Sequence, residues 1–295
     1  MNNNRRQLLA SACALALLSP LGARAADKVN VTASFSILGD LVRVVGGPRV
    51  ALTTLVGPDQ DAHGFEPQAA HAKALLQSQL LVTNGLDFEH WIHKLAKAAG
   101  FKGKTLVASK GIKPLQVGKE TDPHAWQNPQ NVMAYVQNIA DSLGQLDPAG
   151  AETYQANAKA YIQELVALDL WAQEQLAPIP ATKRKVICSH DAFGYLGAYY
   201  KITFLAPQGV STEAEPSARQ VALLIRQIKR EKIKAVFVEN MANPKLLAQL
   251  SQDAGVSIGA DLYSDALSGP DKPGATYLQM MRHNVTQLAA GMRLN

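Results

Sequence analysis

Apolar and polar positions along the chain follow two periods in turn. Segments 29–35 (VNVTASF), 50–56 (VALTTLV) and 80–85 (LLVTNG) are short apolar or alternating runs bounded by turn residues, which predicts β-strands. Segments 36–47 (SILGDLVRVVGG) and 88–100 (FEHWIHKLAKAAG) carry apolar residues at helical spacing and end at glycine. This alternation of strands and helices predicts a parallel sheet flanked by helices.

A long helical segment interrupts the alternation near the middle of the chain. From Pro148 to Leu176 there is no glycine after Gly150 and no second proline, and apolar residues recur on one helix face. A helix of this extent is about 44 Å long at ~1.5 Å per residue. Pro178 and Pro180 end it. The predicted apolar face comprises Tyr154, Ala158, Tyr161, Leu165, Leu168, Ala172 and Leu176.

Beyond this helix the alternation of strands and helices resumes. The later predicted strands include KVICSH, AVFVEN and VSIGA, and a last helix finishes the chain. The pattern predicts an α/β fold of two lobes, each a parallel-sheet α/β domain, bridged by one long helix. We expect an N-terminal lobe over residues 26–147, the linking helix over 148–180 and a C-terminal lobe over 181–295.

The first 25 residues form a segment of a different kind. A short positive stretch containing Arg5 and Arg6 precedes an apolar run and the small residues ARA. This order predicts a signal peptide cleaved near Ala25 and a periplasmic protein, because the apolar run is too short to span a bilayer. The arginine pair followed by QLL leaves both general and twin-arginine export open. Cys13 matches a lipid-attachment cysteine weakly, since the apolar run continues beyond it.

Charge and cysteine content exclude some classes of function. The formal charge of +5 becomes +2 when Arg5, Arg6 and Arg24 are removed with the signal peptide. No stripe of lysine and arginine with interleaved aromatic residues is present, so we expect no nucleic-acid binding. Cys188 is the one cysteine that then remains, which excludes an intramolecular disulfide.

Three histidines occupy the same kind of position in the predicted fold. His63, His124 and His190 each lie at or just beyond a strand end or in a loop between elements, where open α/β sheets place their ligands. They belong to separate structural units, which indicates a site in a cleft rather than a local zinc finger. A shared metal site is the hypothesis, and three unrelated loop histidines are the alternative.

Three neutral imidazoles usually need an anionic oxygen to complete a site for a divalent cation. The pattern of the chain leaves Asp261 and Asp265 unresolved as that ligand. His90 and His93 could chelate a metal from one helix face, but two lysines on the same helix favour a solvated surface. Cys188 is interpreted as a structural buried thiol. The acids of the second lobe that we consider are Glu213, Glu215, Glu239, Asp261 and Asp265.

Several motifs in fixed order resemble one known family. They are DAHGFEP, DPHAWQNP, SHDAFGYL, APQGVSTEAEPS, FVENMANP and LYSDALS. In this order they are similar to the cluster A-I solute-binding proteins, the extracytoplasmic components of bacterial ABC importers that capture zinc or manganese. The resemblance extends from about Val29 to Leu294. It implies two bridged lobes with one metal ion between them, a membrane permease of an ABC transporter as partner, and no enzymatic activity. We expect a monomer.

The resemblance also implies the ligand set. The metal ligands correspond to His63, His124, His190 and Asp265, the last because SDAL occupies the position of the family's acid. Glu239 and Trp126 are candidates for contacts behind the ligands, with a plain structural role as the alternative for each.

The donor set bears on which metal is bound. Histidine at the third ligand position is common in the zinc-binding branch of this family, and imidazole suits Zn²⁺ whereas extra carboxylate oxygen suits Mn²⁺. We therefore expect Zn²⁺ as the bound ligand, with Mn²⁺ as the alternative. A secreted zinc hydrolase is disfavoured because four protein ligands leave no open position for water. A binding protein for an organic solute is disfavoured because aromatic residues make up only 6% of the chain.

Overall fold

The computed structural model of the protein describes residues 27–295. The predicted signal peptide, including Arg5, Arg6 and Cys13, lies outside the described residues. Within the part of the chain that the structure describes, none of the helices combines the length and hydrophobicity required for a transmembrane span.

The first half of the chain forms a four-stranded parallel sheet in the order β2-β1-β3-β4. Its strands are β1 (Val29–Phe35), β2 (Val50–Val56), β3 (Leu80–Thr83) and β4 (Lys104–Val107). The connecting helices are α1 (Ser36–Gly46), α2 (Ala69–Leu76) and α3 (Ile92–Ala99). Strand β1 is central, and Val31 pairs with Leu52 on one side and Leu80 on the other. All residues of β1 except Asn30 are buried, as expected for a parallel strand covered on both faces.

A short antiparallel hairpin, β5 (Leu115–Val117) and β6 (Glu120–Asp122), follows this sheet and was not predicted from the sequence. Its strands are too short to give a clear alternation of apolar and polar positions. Helix α4 (Pro129–Leu146) begins after Asn128, whose side chain accepts a hydrogen bond from the backbone N–H of Gln130.

The long linking helix is α5 (Ala151–Leu176), with 26 residues. It is shorter than predicted because Pro148–Gly150 forms a separate 3-10 turn, in which the side chain of Asp147 accepts from the N–H of Gly150. Every residue of the predicted apolar face is buried. The helix packs against α4 and α1. The prediction of a long helix and of the face that it buries is therefore confirmed, and the helix begins three residues later than predicted.

The second half of the chain contains a parallel pair of strands to which two further segments are attached. The elements are β7 (Lys185–Ile187), α6 (Gly194–Tyr200), β8 (Thr203–Leu205), α7 (Ala218–Glu231), α8 (Pro244–Ala254) and α9 (Tyr277–Leu294). Strand β7 pairs with β8, and Ile187 also bridges to Val236. Glu239 in turn bridges to Leu262. The predicted strand AVFVEN thus pairs with β7 and with the segment just after VSIGA, in each case through a single parallel bridge.

The predicted strand VSIGA contains a glycine, Gly259, at the point where it approaches the neighbouring segment. The N–H of Gly259 donates to the carbonyl of Val236 at 2.7 Å, and a Cβ at Gly259 would meet the ring of Phe237 at 2.7 Å. Glycine in a strand weakens regular pairing and marks a close approach of other groups.

One hydrophobic core extends through both halves of the chain. It includes Phe35 and Trp126 from the first half and Phe237 and Tyr277 from the second, with the buried face of α5 between them. Helix α9 packs against α5 from the second half. Because this close-packed core is continuous between the two halves of the chain, it favours a fold in which the lobes move little relative to one another.

Candidate metal centre

Four predicted site residues converge between the two halves of the chain. One ligand atom from each of His63, His124, His190 and Asp265 lies within 4.8 Å of all the others. The side chain of His63 is 2% exposed, and those of the other three residues are fully buried. The structure therefore brings together the set of side chains that the sequence resemblance implied.

The separations within this cluster are those of atoms around a common centre. The Nε2 atoms of His63 and His124 are 3.3 Å apart. Oδ2 of Asp265 lies 3.0 Å from Nε2 of His190 and 3.4 Å from Nε2 of His63. Oδ1 of Asp265 lies 3.5 Å from Nε2 of His124. Four ligands placed tetrahedrally at about 2.0–2.1 Å from a zinc ion are about 3.3 Å from one another. The arrangement therefore fits a small divalent cation.

Two of the histidines, His63 and His124, are each held by a turn of the same kind. Oδ1 of Asp61 accepts a hydrogen bond from the backbone N–H of His63 at 2.9 Å, and Oδ1 of Asp122 accepts from that of His124 at 2.9 Å. An aspartate that accepts from the N–H two residues later forms an Asx turn, which fixes the backbone at the ligand.

Asp122 also sets the direction of the His124 ring. Its Oδ1 lies 2.8 Å from Nδ1 of His124, so that nitrogen carries the hydrogen and Nε2 presents its lone pair to the cluster. The sequence interpretation did not single out Asp122. The signal was present, because DAH and DPH repeat the same aspartate-to-histidine spacing.

Glu239 plays the corresponding part for His190. It is buried, its Oε2 contacts Nδ1 of His190, and its Oε1 accepts from the backbone N–H groups of Ser189 (2.7 Å) and His190 (3.1 Å). Oε2 also accepts from the hydroxyl of Ser264 at 2.9 Å, beside Asp265. One carboxylate therefore orients the third imidazole and fixes the segment that carries the acid. From the sequence alone, Glu239 was a candidate either for a contact behind the metal-site histidines or for a purely structural role.

The electrostatics of the cluster reflect close charges in a buried site. Burial raises the pKa of Asp265, but the imidazoles of His190 and His124 outweigh it and hold that pKa well below its usual range. Burial lowers the pKa of His190, yet the carboxylates of Glu239 and Asp265 together raise it well above the ordinary value. Burial lowers the pKa of His63.

Hydrogen bonding leaves the centre of the cluster unsatisfied. Among residues 27–295, neither carboxylate oxygen of Asp265 has a hydrogen-bond partner, and neither ring nitrogen of His190 has one. Their short mutual contacts do not have hydrogen-bond geometry. A buried ionised carboxylate without hydrogen bonds is costly unless a cation compensates it. This observation supports the fit of a metal ion to these residues.

Aromatic residues form one wall of the site. The ring of Phe88 lies 4.6 Å from that of His63, and the ring of Trp126 lies 5.3 Å from that of His124. The Nε1–H of Trp126 donates to the carbonyl of Ser264 at 2.8 Å. Trp126 thus packs behind His124 and contacts the segment that carries Asp265.

The remaining candidates lie elsewhere. Asp261 is exposed, and its backbone carbonyl is 2.8 Å from Nε2 of His283. His90 and His93 are exposed on the surface of the first half. The thiol of Cys188 donates to the backbone carbonyl of His190 at 3.2 Å, and burial raises its pKa well above the ordinary value. None of these four belongs to the converging cluster among the described residues.

Two α/β lobes bridged by a long helix, with a buried His₃Asp cluster between them, define a two-lobed binding protein whose centre fits a metal ion. Comparison with known proteins agrees with this class. A family model described as "ZnuA: Zinc-uptake complex component A periplasmic" matches residues 31–291. The chain belongs to this family, which corresponds to the metal-binding cluster A-I proteins of ABC importers.

Individual relatives are similar over most of their length but are named for different metals. The manganese-binding lipoprotein MntA of Halalkalibacterium halodurans is 32% identical, with 90% of this chain and 89% of the relative covered. The iron-binding protein YfeA of Yersinia pestis is 32% identical, with 96% and 92% covered. The solved structure of the periplasmic zinc-binding protein TroA from Treponema pallidum has 28% identity and a TM-score of 0.86, covering 90% of this chain and 99% of that one.

These similarities bear on two questions: whether the chain is a secreted hydrolase, and which metal it binds. The family and its named members are substrate-binding proteins, so the chain is a metal ABC transporter substrate-binding protein and not the secreted hydrolase considered above. The relatives do not agree on the metal.

Proposed function

We propose that this protein captures one zinc ion through His63, His124, His190 and Asp265 and delivers it to the membrane permease of an ABC importer. The observation that carries the proposal is the convergence of these four buried side chains, whose ligand atoms lie within 4.8 Å of one another. Four protein ligands and no open position suit capture of the ion rather than metal catalysis.

The donor set favours zinc. Three imidazole nitrogens and one carboxylate match four-coordinate zinc, and nitrogen-rich sites bind zinc more tightly than manganese. Manganese is the second candidate because both oxygens of Asp265 face imidazoles, Oδ1 at 3.5 Å from His124 and Oδ2 at 3.0 Å from His190. A carboxylate that binds through both oxygens raises the coordination number, which suits the harder ion.

Delivery requires that the ligands separate without unfolding. We assign His63 and His124 to an N-terminal lobe (residues 26–147) and His190 and Asp265 to a C-terminal lobe (181–295), so a small hinge motion withdraws two ligands together. The linking helix (148–180) restricts that motion. A cleavable signal near Ala25, a periplasmic location and a monomeric state complete the proposal; the description of the family as periplasmic supports the location.

Competitive titration of the metal-free protein with zinc and manganese tests this function. We expect one metal ion per chain by elemental analysis, and displacement of manganese by an equal concentration of zinc. Preferential retention of manganese would support the second candidate. Absence of saturable binding of either ion would contradict the proposed function.

A further inference from the structure

The segment 57–63, which carries the first histidine of the metal centre, is called the ligand loop here. It is bonded to the second half of the chain through Asp59. The N–H of Asp59 donates to the carbonyl of Leu267 at 2.8 Å. Its Oδ1 accepts from the side-chain amide of Asn240 at 2.8 Å, and its Oδ2 accepts from the ammonium group of Lys272 at 2.8 Å.

A second aspartate of the ligand loop makes a similar link. One oxygen of Asp61 accepts from the backbone N–H of His63, and the other accepts from the hydroxyl of Thr212 at 2.6 Å. The carbonyl of Thr212 accepts from the side chain of Gln208 at 2.8 Å, and Gln208 forms a backbone bridge with His190. The carboxylate of Asp61 therefore joins one metal-site histidine to the segment that pairs with another.

The partners of Asp59 lie beside the second-half part of the centre. Asn240 directly follows Glu239, and Leu267 lies two residues after Asp265. Asp59 itself has a φ of +56°, in the left-handed region that residues other than glycine seldom occupy. Such a conformation persists where surrounding contacts hold it. The bonds across the junction supply those contacts.

These bonds differ from the others that join the two halves. The bond from Trp126 to Ser264 is buried beneath the site and does not involve the ligand loop. At the Asp59–Lys272 pair, by contrast, the side chains are 28% and 58% exposed. A solvent-accessible ion pair breaks at small cost, so the Lys272 end of this group of bonds can open while the buried core stays packed.

We propose that Asp59 and Asp61 are positioning residues that hold the ligand loop against the second lobe and thereby set the rate at which bound metal leaves. The inference rests on the proposed function. The bonds of Asp59 and Asp61 to Leu267, Asn240, Lys272 and Thr212 form an inter-lobe latch. When the latch is broken, the loop withdraws its histidine more often and the ion dissociates faster. Association is affected less, since changes within one binding site mostly alter dissociation rates.

Matched substitutions of the second-half partners test the latch without altering a metal ligand. Thr212→Val removes the hydroxyl and Thr212→Ser keeps it. Lys272→Met removes the charge and Lys272→Arg keeps it. The zinc-loaded full chain is mixed with excess chelator, and zinc release is followed by stopped-flow. We expect release about tenfold faster for Thr212→Val, because a charged hydrogen bond is lost. We expect zinc release about two- to fivefold faster for Lys272→Met. Thr212→Ser and Lys272→Arg should release zinc at the wild-type rate.

A second readout separates the latch from a general structural role. The melting temperature of the metal-free variants should fall by no more than about 2–4 °C, because the latch bonds are few and partly exposed and the buried core is left intact. Wild-type release rates in both Thr212→Val and Lys272→Met would overturn the latch while leaving the proposed function intact. If Thr212→Val fails to fold, the comparison of Lys272→Met with Lys272→Arg, at an exposed position, tests the latch by itself. A wild-type protein that binds no zinc would instead contradict the proposed function.

Discussion

The Nε2 atoms of His63 and His124 lie 3.3 Å apart, although 61 residues separate the two histidines in the chain. Because Asp122 binds Nδ1 of His124, the Nε2 atom of that ring carries a lone pair. Both rings and a buried carboxylate face the same point, where the proposed cation would compensate the carboxylate charge and accept the lone pairs of the rings.

Removing the charge of Asp265, the proposed carboxylate ligand, should weaken metal binding strongly. Asp265→Asn keeps the size of the side chain but supplies a neutral ligand. We expect the zinc affinity, measured by competition with a chromogenic chelator, to fall by at least about a hundredfold, more than the effect typical of an outer contact. Asp261→Asn is the matched control, since Asp261 is exposed and outside the cluster. Equal affinities of the two variants would contradict the assignment of Asp265.

The carboxylate behind His190 should matter without touching the ion. Glu239→Gln retains an acceptor for the backbone N–H groups but loses the charge that faces Nδ1 of His190. We expect zinc affinity to fall about 10- to 100-fold with one ion still bound per chain. Calorimetric titration measures both quantities. Loss of stoichiometry would indicate that Glu239 is itself a ligand, and unchanged affinity would reduce it to a packing residue.

Protons and zinc should compete for His190, so the rise in melting temperature that zinc causes should depend on pH. The pKa of His190 is raised by Glu239 and Asp265 despite burial, so the folded metal-free protein keeps a proton there up to a higher pH than the unfolded chain does. That proton stabilises the metal-free form below the unfolded pKa of about 6.5, and the stabilisation is lost as pH rises through the folded pKa. Zinc must displace the proton.

The rise in melting temperature caused by zinc should therefore be larger at about pH 8 than at about pH 6. Differential scanning calorimetry at a fixed ratio of zinc to protein measures it. His93→Gln, which alters an exposed histidine, should reproduce the wild-type curve. A zinc-induced rise that is the same at both pH values would refute the competition.

A carboxylate on the linking helix should support the fold in a pH-dependent way. Asp169 accepts hydrogen bonds from Gln130 of α4 (2.7 Å) and from Tyr199 (2.7 Å) and Tyr200 (2.8 Å) of α6. Burial raises its pKa, but these hydrogen bonds outweigh burial and lower it. The stability that it contributes is thus present above the unfolded pKa of about 3.9 and is lost as pH falls through the folded pKa.

Asp169→Asn should lower the unfolding free energy near neutral pH by about 1–3 kcal/mol. The difference from wild type should shrink in acid, as urea denaturation at several pH values would reveal. Glu174→Gln, on an exposed position of the same helix, is the control. A pH-independent difference would show that the charge of Asp169 is not the source of the effect.

The sequence predicted the features that depend on local periodicity or on position after a strand. The bridging helix was recognisable because its apolar face recurs from Tyr154 to Leu176. The three histidines were recognisable because each lies where ligand sites form in open sheets. The hydrogen bond from Gly259 to Val236 was less predictable, since a single backbone contact leaves little trace in the pattern.

Contacts between distant residues could not be derived from pattern alone. Asp261 and Asp265 look alike in the sequence, and what separates them is burial, which depends on how the two halves pack. The same holds for Asp59, whose partner Lys272 lies 213 residues away. Asp122 is the exception, because its spacing to His124 repeats that of Asp61 to His63.

X-ray absorption at the zinc edge on the stoichiometrically loaded protein tests the joint binding of one ion most directly. We predict one zinc ion per chain, with three imidazole nitrogens and carboxylate oxygen at about 2.0–2.2 Å, and loss of one imidazole in His190→Ala. A first shell of water or sulfur, or a spectrum unchanged in His190→Ala, would contradict it.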